Sequence, residues 1–221
     1  MTSGFPGSPR LVRGGIVTMD PDTSAIMNVI ALQYNPDSLS RSMQIQSMPG
    51  SQDAMRVDVL RLRGPAVETV KVEAEFDATD ALEFPQQNPA AVHYGLLPQL
   101  AQLESLINPT VATLQADNQM ASNGTLEILP LEQPLTLFVW SKNRVMPVRL
   151  TEFSVTEEAF DASLNPIRAK VSLGLRVLTI DDLGFSHPGG RMFMTYLGNK
   201  EYLAKQTSST ALSVLGISGL S

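Results

Sequence analysis

Only two imidazoles, His93 and His187, are available to do chemistry in this chain of 221 residues, and it has no cysteine. Lack of cysteine excludes a disulfide framework, thiolate metal sites and a thiol nucleophile together, and fits a reducing compartment. A zinc-type centre wants two or three imidazoles or carboxylates at short spacing. His93 stands beside Tyr94 in a helical stretch and His187 precedes Pro188-Gly189, so both read as structural or solvated. Asp181-Asp182 and Glu157-Glu158 are adjacent pairs, and adjacent strand residues point to opposite faces. Asp181-Asp182 reads as the start of a turn and the glutamates as the wet side of a strand. There is no GxSxG, no phosphate-binding glycine loop with Lys-Ser/Thr and no GxGxxG, and Gly14-Gly15 and Gly189-Gly190 read as turns. Phe138 and Trp140 in "LFVWSKN" have the makings of a stacking platform, but their apolar neighbours favour a core or interface strand. The residues call for neither an enzyme nor a cofactor.

The elements behind these residues are mostly strands. "NVIALQYNP" (28–36) is a compact apolar strand stopped by Asn35-Pro36, "SMQIQSM" (42–48) alternates with Met43 and Ile45 on one face, and "MRVDVLRLRG" (55–64) slips phase at Leu60-Leu62. "VETVKVEAEFDATD" (67–80) sets Val70, Val72, Ala74 and Phe76 against Lys71, Glu73 and Glu75, the period of a half-buried strand. Further strands follow at 134–143, at 145–161 across a phase slip, and at 167–180. In the last, Ala169, Val171, Leu173, Leu175 and Val177 oppose Arg168, Lys170, Ser172, Gly174 and Arg176. Helix is expected over 88–108, capped by Asn88 with Pro89 at its first position and kinked at Pro98, and again over 189–206. The stretch 109–131 reads as an insertion, a loop or a weak hairpin. The division is a mobile Gly/Pro/Ser arm (1–24), a β domain (25–180) and a helical, Ser-rich extension (181–221).

Net charge is −6, from 16 basic and 22 acidic residues, which gives no electrostatic case for nucleic acid. No window approaches the roughly 18 apolar residues of a membrane helix and the start is unlike a signal peptide, so a soluble, cytoplasmic chain without membrane insertion is expected.

Taken in order, Tyr34-Asn35-Pro36 closing a strand, Phe76-Asp77 ending another, Phe138-Val139-Trp140, and Phe153 with Phe160 through Leu173 ("FDASLNPIRAKVSL") form a set. That set resembles the tube-type domain of contractile injection systems over about residues 28 to 180. The family often has Gly before its Pro-x-Arg-Ala turn. Here Asn165 precedes Pro166, Arg168 and Ala169, and Asn tolerates a left-handed turn position. Many relatives also carry a peptidoglycan-binding LysM module, whose Gly-Asp-Thr-Leu-like signature residues 181–221 lack.

The resemblance implies a mainly β fold, a tail-tube-like β-barrel or two packed antiparallel sheets with a flanking helix. It implies a homohexameric ring that adapts a spike or baseplate hub to an inner tube, with tube, spike and baseplate proteins as partners. A tube subunit proper and a cap-end adaptor are variants of this reading; a ligand- or glycan-binding barrel with Trp140, Phe138 and Tyr34 around a pocket is the alternative of another class. The row Arg168, Lys170 and Arg176 is the expected interface face.

Overall fold

A computed structural model describes residues 11–47, 61–123, 133–207 and 212–215. Its centre is one antiparallel sheet of seven strands: β1 (Gly15–Met19), β2 (Ile26–Ala31), β3 (Leu39–Gln44), β4 (Val67–Asp77), β5 (Leu135–Ser141), β6 (Arg144–Phe160) and β7 (Pro166–Val177). They lie in the order β2-β1-β5-β6-β7-β4-β3. The fold is mainly β, as expected, but the sheet is open: the edge strands β2 and β3 exchange no ladder, so neither a closed barrel nor a pair of sheets forms.

The sheet must nevertheless roll. Flat, seven strands would span roughly 29 Å. The linker 32–38 joins the two edges, and even a fully extended chain of that length reaches only about 26–29 Å. The linker is bent, so the edges stand closer than a flat sheet allows.

Rolling gathers the inward residues into one core. The alternation of β4 and β7 keeps the expected phase, with Val70, Val72, Ala74 and Phe76 facing Ala169, Val171, Leu173, Leu175 and Val177 across the β4–β7 register. Ile16, Ile30, Phe138, Met146 and Val148 join them from the other strands. A second cluster, Met19, Leu135 and Leu137, lies against Leu183 and Met192, so β5 is apolar on both faces because both are covered. The phase slip in β6 is a bulge between Leu150 and Glu152. Gly174 sits opposite it, where a Cβ would come within 2.7 Å of the Glu152 side chain.

Among the described residues six α-helices accompany the sheet: α1 (Thr79–Glu83), α2 (Pro89–Tyr94), α3 (Leu97–Glu104), α4 (Val111–Ser122), α5 (Ile180–Leu183) and α6 (Pro188–Ala204). This is more helix than the one or two expected. The 88–108 segment breaks at Gly95, not at Pro98. Gly95 has φ 55° and its N–H caps α2, while Pro98 lies in the first turn of α3, where a missing N–H costs nothing. Leu96, Leu100 and Leu103 bury against the rolled sheet, worth about 1.5–3 kcal/mol each. Within 109–131, α4 is capped by the Thr110 hydroxyl and buries no residue.

Three other expectations change. β1 lies inside the segment read as an arm, and its Ile16 is fully buried between β2 and β5. The 42–48 strand runs Leu39–Gln44 with Met43 and Ile45 exposed. Residues 1–10 and 48–60, including the phase slip at Leu60, fall outside the described residues, and Leu62 makes a lone bridge to Ser47.

Candidate functional site

Three of the motif residues, Tyr34, Asp77 and Arg168, meet where the edge linker passes the ends of β4 and β7. Gln33 acts there as a peptide unit would: its side-chain amide donates to the Asp77 carbonyl (2.7 Å) and accepts from the Asp77 N–H (2.9 Å). Asn35 repeats the device on the other edge, donating to the Val12 carbonyl (2.8 Å) and accepting from the Gly14 N–H (2.9 Å). A side chain that must donate and accept at once needs an amide. Pro36 then turns the chain toward β3. Gln33 and Asn35 therefore satisfy backbone groups at the end of β4 and just before β1 that longer β3–β4 and β1–β2 ladders would have paired.

Asp77 anchors the joint. One carboxylate oxygen takes both Arg168 Nε and a terminal guanidinium nitrogen at 3.0 Å, and the other takes the Thr79 N–H (2.8 Å) and the Thr79 hydroxyl. The Thr79 hydroxyl foremost, with Arg168 assisting against partial burial, holds the Asp77 carboxyl below its usual range. Tyr34, Asp77, Glu158, Arg168 and Lys170 line a cleft of about 460 Å³.

The other motif residues belong to the core. Phe76, Ala169 and Pro166 are buried, and Phe153 packs half-buried opposite Leu173. Phe138 is fully buried and stacks on Trp140 with ring centroids 6.0 Å apart. Trp140 lies over Gly14, where a Cβ would come within 2.8 Å of its ring. Being fully buried, Phe138 cannot wall an open pocket with Tyr34.

Arg168, Lys170 and Arg176 do share one face of β7, and each has a partner within the chain. Arg168 holds Asp77, Lys170 lies 3.8 Å from Glu75 and 3.9 Å from Glu158, and Arg176 is 2.7 Å from Asp182. Lys71 and Glu152 (3.0 Å) add to this lattice. Asp182 closes a capping box with Thr179 at the start of α5, and the His187 Nδ1 caps α6 by accepting from the Gly189 N–H. Among the described residues no three His, Asp or Glu side chains are placed to hold a metal ion, and no helix is long and apolar enough to cross a membrane.

One cluster has no counterpart among the residues that the sequence patterns single out. Glu68, on the inward face of β4 and 3% exposed, accepts from Arg41 Nε (2.6 Å), Lys200 Nζ (2.7 Å) and the Tyr196 hydroxyl (3.0 Å). Lys200 also lies 4.2 Å from the Tyr196 ring centroid. Burial pushes the Glu68 carboxyl up, but the hydrogen bonds and charges of Arg41 and Lys200 outweigh it and hold the group below its usual value. Burial, together with the Glu68 charge, raises the Tyr196 phenol. The four side chains tie α6 to β3 and β4. The signal is present in "VETV": Glu68 shares the phase of Val70 and Val72, so the alternation already places a charge inside.

No family model matches the chain, and no curated protein does. Among solved structures, a chain from the tail of an empty gene transfer agent particle with C6 symmetry is 10% identical with a TM-score of 0.29, over 74% of this chain and 90% of that one. A chain from the virion of a native gene transfer agent particle is likewise 10% identical with a TM-score of 0.28, over the same shares. At these TM-scores the likeness establishes neither a shared fold nor a shared role.

Proposed function

We propose that this chain is a non-enzymatic structural subunit of a contractile injection or phage-tail-like particle. In this reading six copies close into a ring that adapts the spike or baseplate hub to the inner tube, without cofactor or nucleic acid. The observation that carries it is that Tyr34 of the motif lines one cleft with Asp77 at the end of β4 and Arg168 on β7, where Arg168 holds the Asp77 carboxylate and the neighbouring Gln33 bonds the Asp77 backbone.

The two sheet edges differ in a way that suits such a ring. On β3, Arg41 turns inward to Glu68, one of the devices that blunt an edge against association. On β2, Ile26, Met27 and Val29 are 66%, 60% and 58% exposed, and no charge occurs from Ser24 to Tyr34. An apolar, unguarded edge is a surface for backbone pairing with another chain.

Electron microscopy of the purified protein, alone and with its tube and spike partners, tests the reading. Six-fold rings are expected, one ring per particle for an adaptor and many for a tube subunit. A monodisperse monomer that never enters such a particle would refute it.

A further inference from the structure

The tip of the β6–β7 hairpin is built more rigidly than its own packing requires. The Asp161 carboxylate accepts from the N–H groups of Ser163 (2.7 Å) and Asn165 (2.8 Å) and from the Asn165 side chain (2.8 Å). The Asn165 amide also donates to the His93 carbonyl (3.2 Å). On this scaffold Phe160 is 50% exposed and Leu164 79% exposed. Leu164 has φ 64° and Ala159 φ 54°, in the left-handed region that costs a residue with a side chain about 1–2 kcal/mol. Asn or Gly would sit there with less strain. A strained, displayed leucine gains nothing from its own chain, which points outward for its use.

The opposite end of the hairpin carries a matching hollow. Beside the Val148–Val177 pair opens a cavity of about 470 Å³, lined by Leu106, Ile107, Leu135, Leu150, Leu178 and Leu183. Arg149 stands at its wall, exposed, and no carboxylate among the described residues pairs with it. The tip carries the complementary charge in Glu157, Glu158 and Asp161. β7 has 12 residues, so tip and hollow lie roughly 36 Å apart and no chain can fill its own cavity with its own tip.

We propose that Phe160 and Leu164 of one copy seat in this cavity of a second copy, with Glu157 beside Arg149. The inference rests on the self-assembling role above and names a second contact between copies, distinct from the β2 edge. Tip and hollow are different patches, so the contact is heterologous, and the rotation per step decides between a closed ring and an open stack.

The absence of cysteine makes the test clean. Leu164→Cys and Ile107→Cys are made as separate variants, mixed and oxidised. A disulfide-linked pair is expected in the mixture and in neither variant alone, since a disulfide needs Cα atoms about 4.4–6.8 Å apart. Leu164→Asn relieves the backbone strain, so its melting temperature should hold or rise while self-association by sedimentation weakens at least tenfold. A mixture that forms no cross-link, or Leu164→Asn associating like the parent, overturns the proposal. If rings persist in either case, the tip contact fails and the ring reading stands; a parent protein that stays monomeric overturns both.

Discussion

Replacing Glu68 by Gln keeps the shape of the side chain and removes one charge, which makes it the sharpest probe of how α6 is held. In the parent protein the carboxylate satisfies three donors, and the Arg41 and Lys200 side chains are only 25% and 34% exposed. The amide of Gln offers one oxygen in place of two and turns its own N–H₂ toward a cation. Removing one partner of a fully buried pair costs about 3–5 kcal/mol. Because both cations here retain partial access to water, that figure must be discounted, to roughly 2–3 kcal/mol. For a chain of this size the loss corresponds to roughly 4–12 °C in Tm. The assay is urea unfolding followed by circular dichroism, run from neutral pH down to pH 3. Glu68 has a folded pKa below its unfolded one, about 4.3. Its stabilisation is therefore complete above the unfolded value and is lost as pH falls through the folded value. The gap between parent and Glu68→Gln should be widest at neutral pH and close in acid. A gap under about 0.5 kcal/mol at neutral pH, or one that persists unchanged at pH 3, would show that the cluster is not held together by the carboxylate charge.

Val171→Asp places an unpaired carboxylate where the side chain is fully buried, and should abolish cooperative unfolding by circular dichroism, a loss of more than about 4 kcal/mol. Gly95→Ala forces a side chain onto φ 55° and within 2.4 Å of the Pro166 carbonyl oxygen, so a loss of at least about 2 kcal/mol in chemical denaturation is expected. Arg168→Glu breaks the pair with Asp77 across a half-exposed face; the fold should survive with a change of about 1 kcal/mol or less, while ring assembly by electron microscopy is impaired.

Sequence and structure agree where burial is one-sided. On β4 and β7 the outward residues meet water, Gly174 under the bulge excepted, so period two places Val72 inside and Lys71 outside without ambiguity. β1 escapes because "GIVTM" is covered on both faces and shows no alternation, and because two glycines introduce it in a turn-rich stretch. The helix α4 escapes for the opposite reason: it buries nothing, so no apolar stripe marks it, and only Pro109-Thr110 announces a start. The joint is half legible. The residue types in "YNP" and "FD" stand out as an ordered set, but Gln33 lies outside it, and that Gln33 and Asn35 bond backbone groups of distant strands is encoded in no local period. The Glu68 cluster brings together positions 41, 68, 196 and 200, and only its inward phase can be read.

The strand order has a consequence for synthesis. β1 pairs on one side with β2, its neighbour in sequence, and on the other with β5, roughly 115 residues later. At about 5–20 residues per second, a nascent β1–β2 hairpin waits some 6–23 s for the strand that completes its sheet. Throughout that interval Ile16 and Ile30 lack their cover, and the uncharged stretch from Ser24 to Tyr34 offers its backbone to any passing chain. Two nascent copies on one message would meet at that edge before either has folded. Yield in the cell should therefore depend more on holding chaperones during translation than on the stability of the finished subunit.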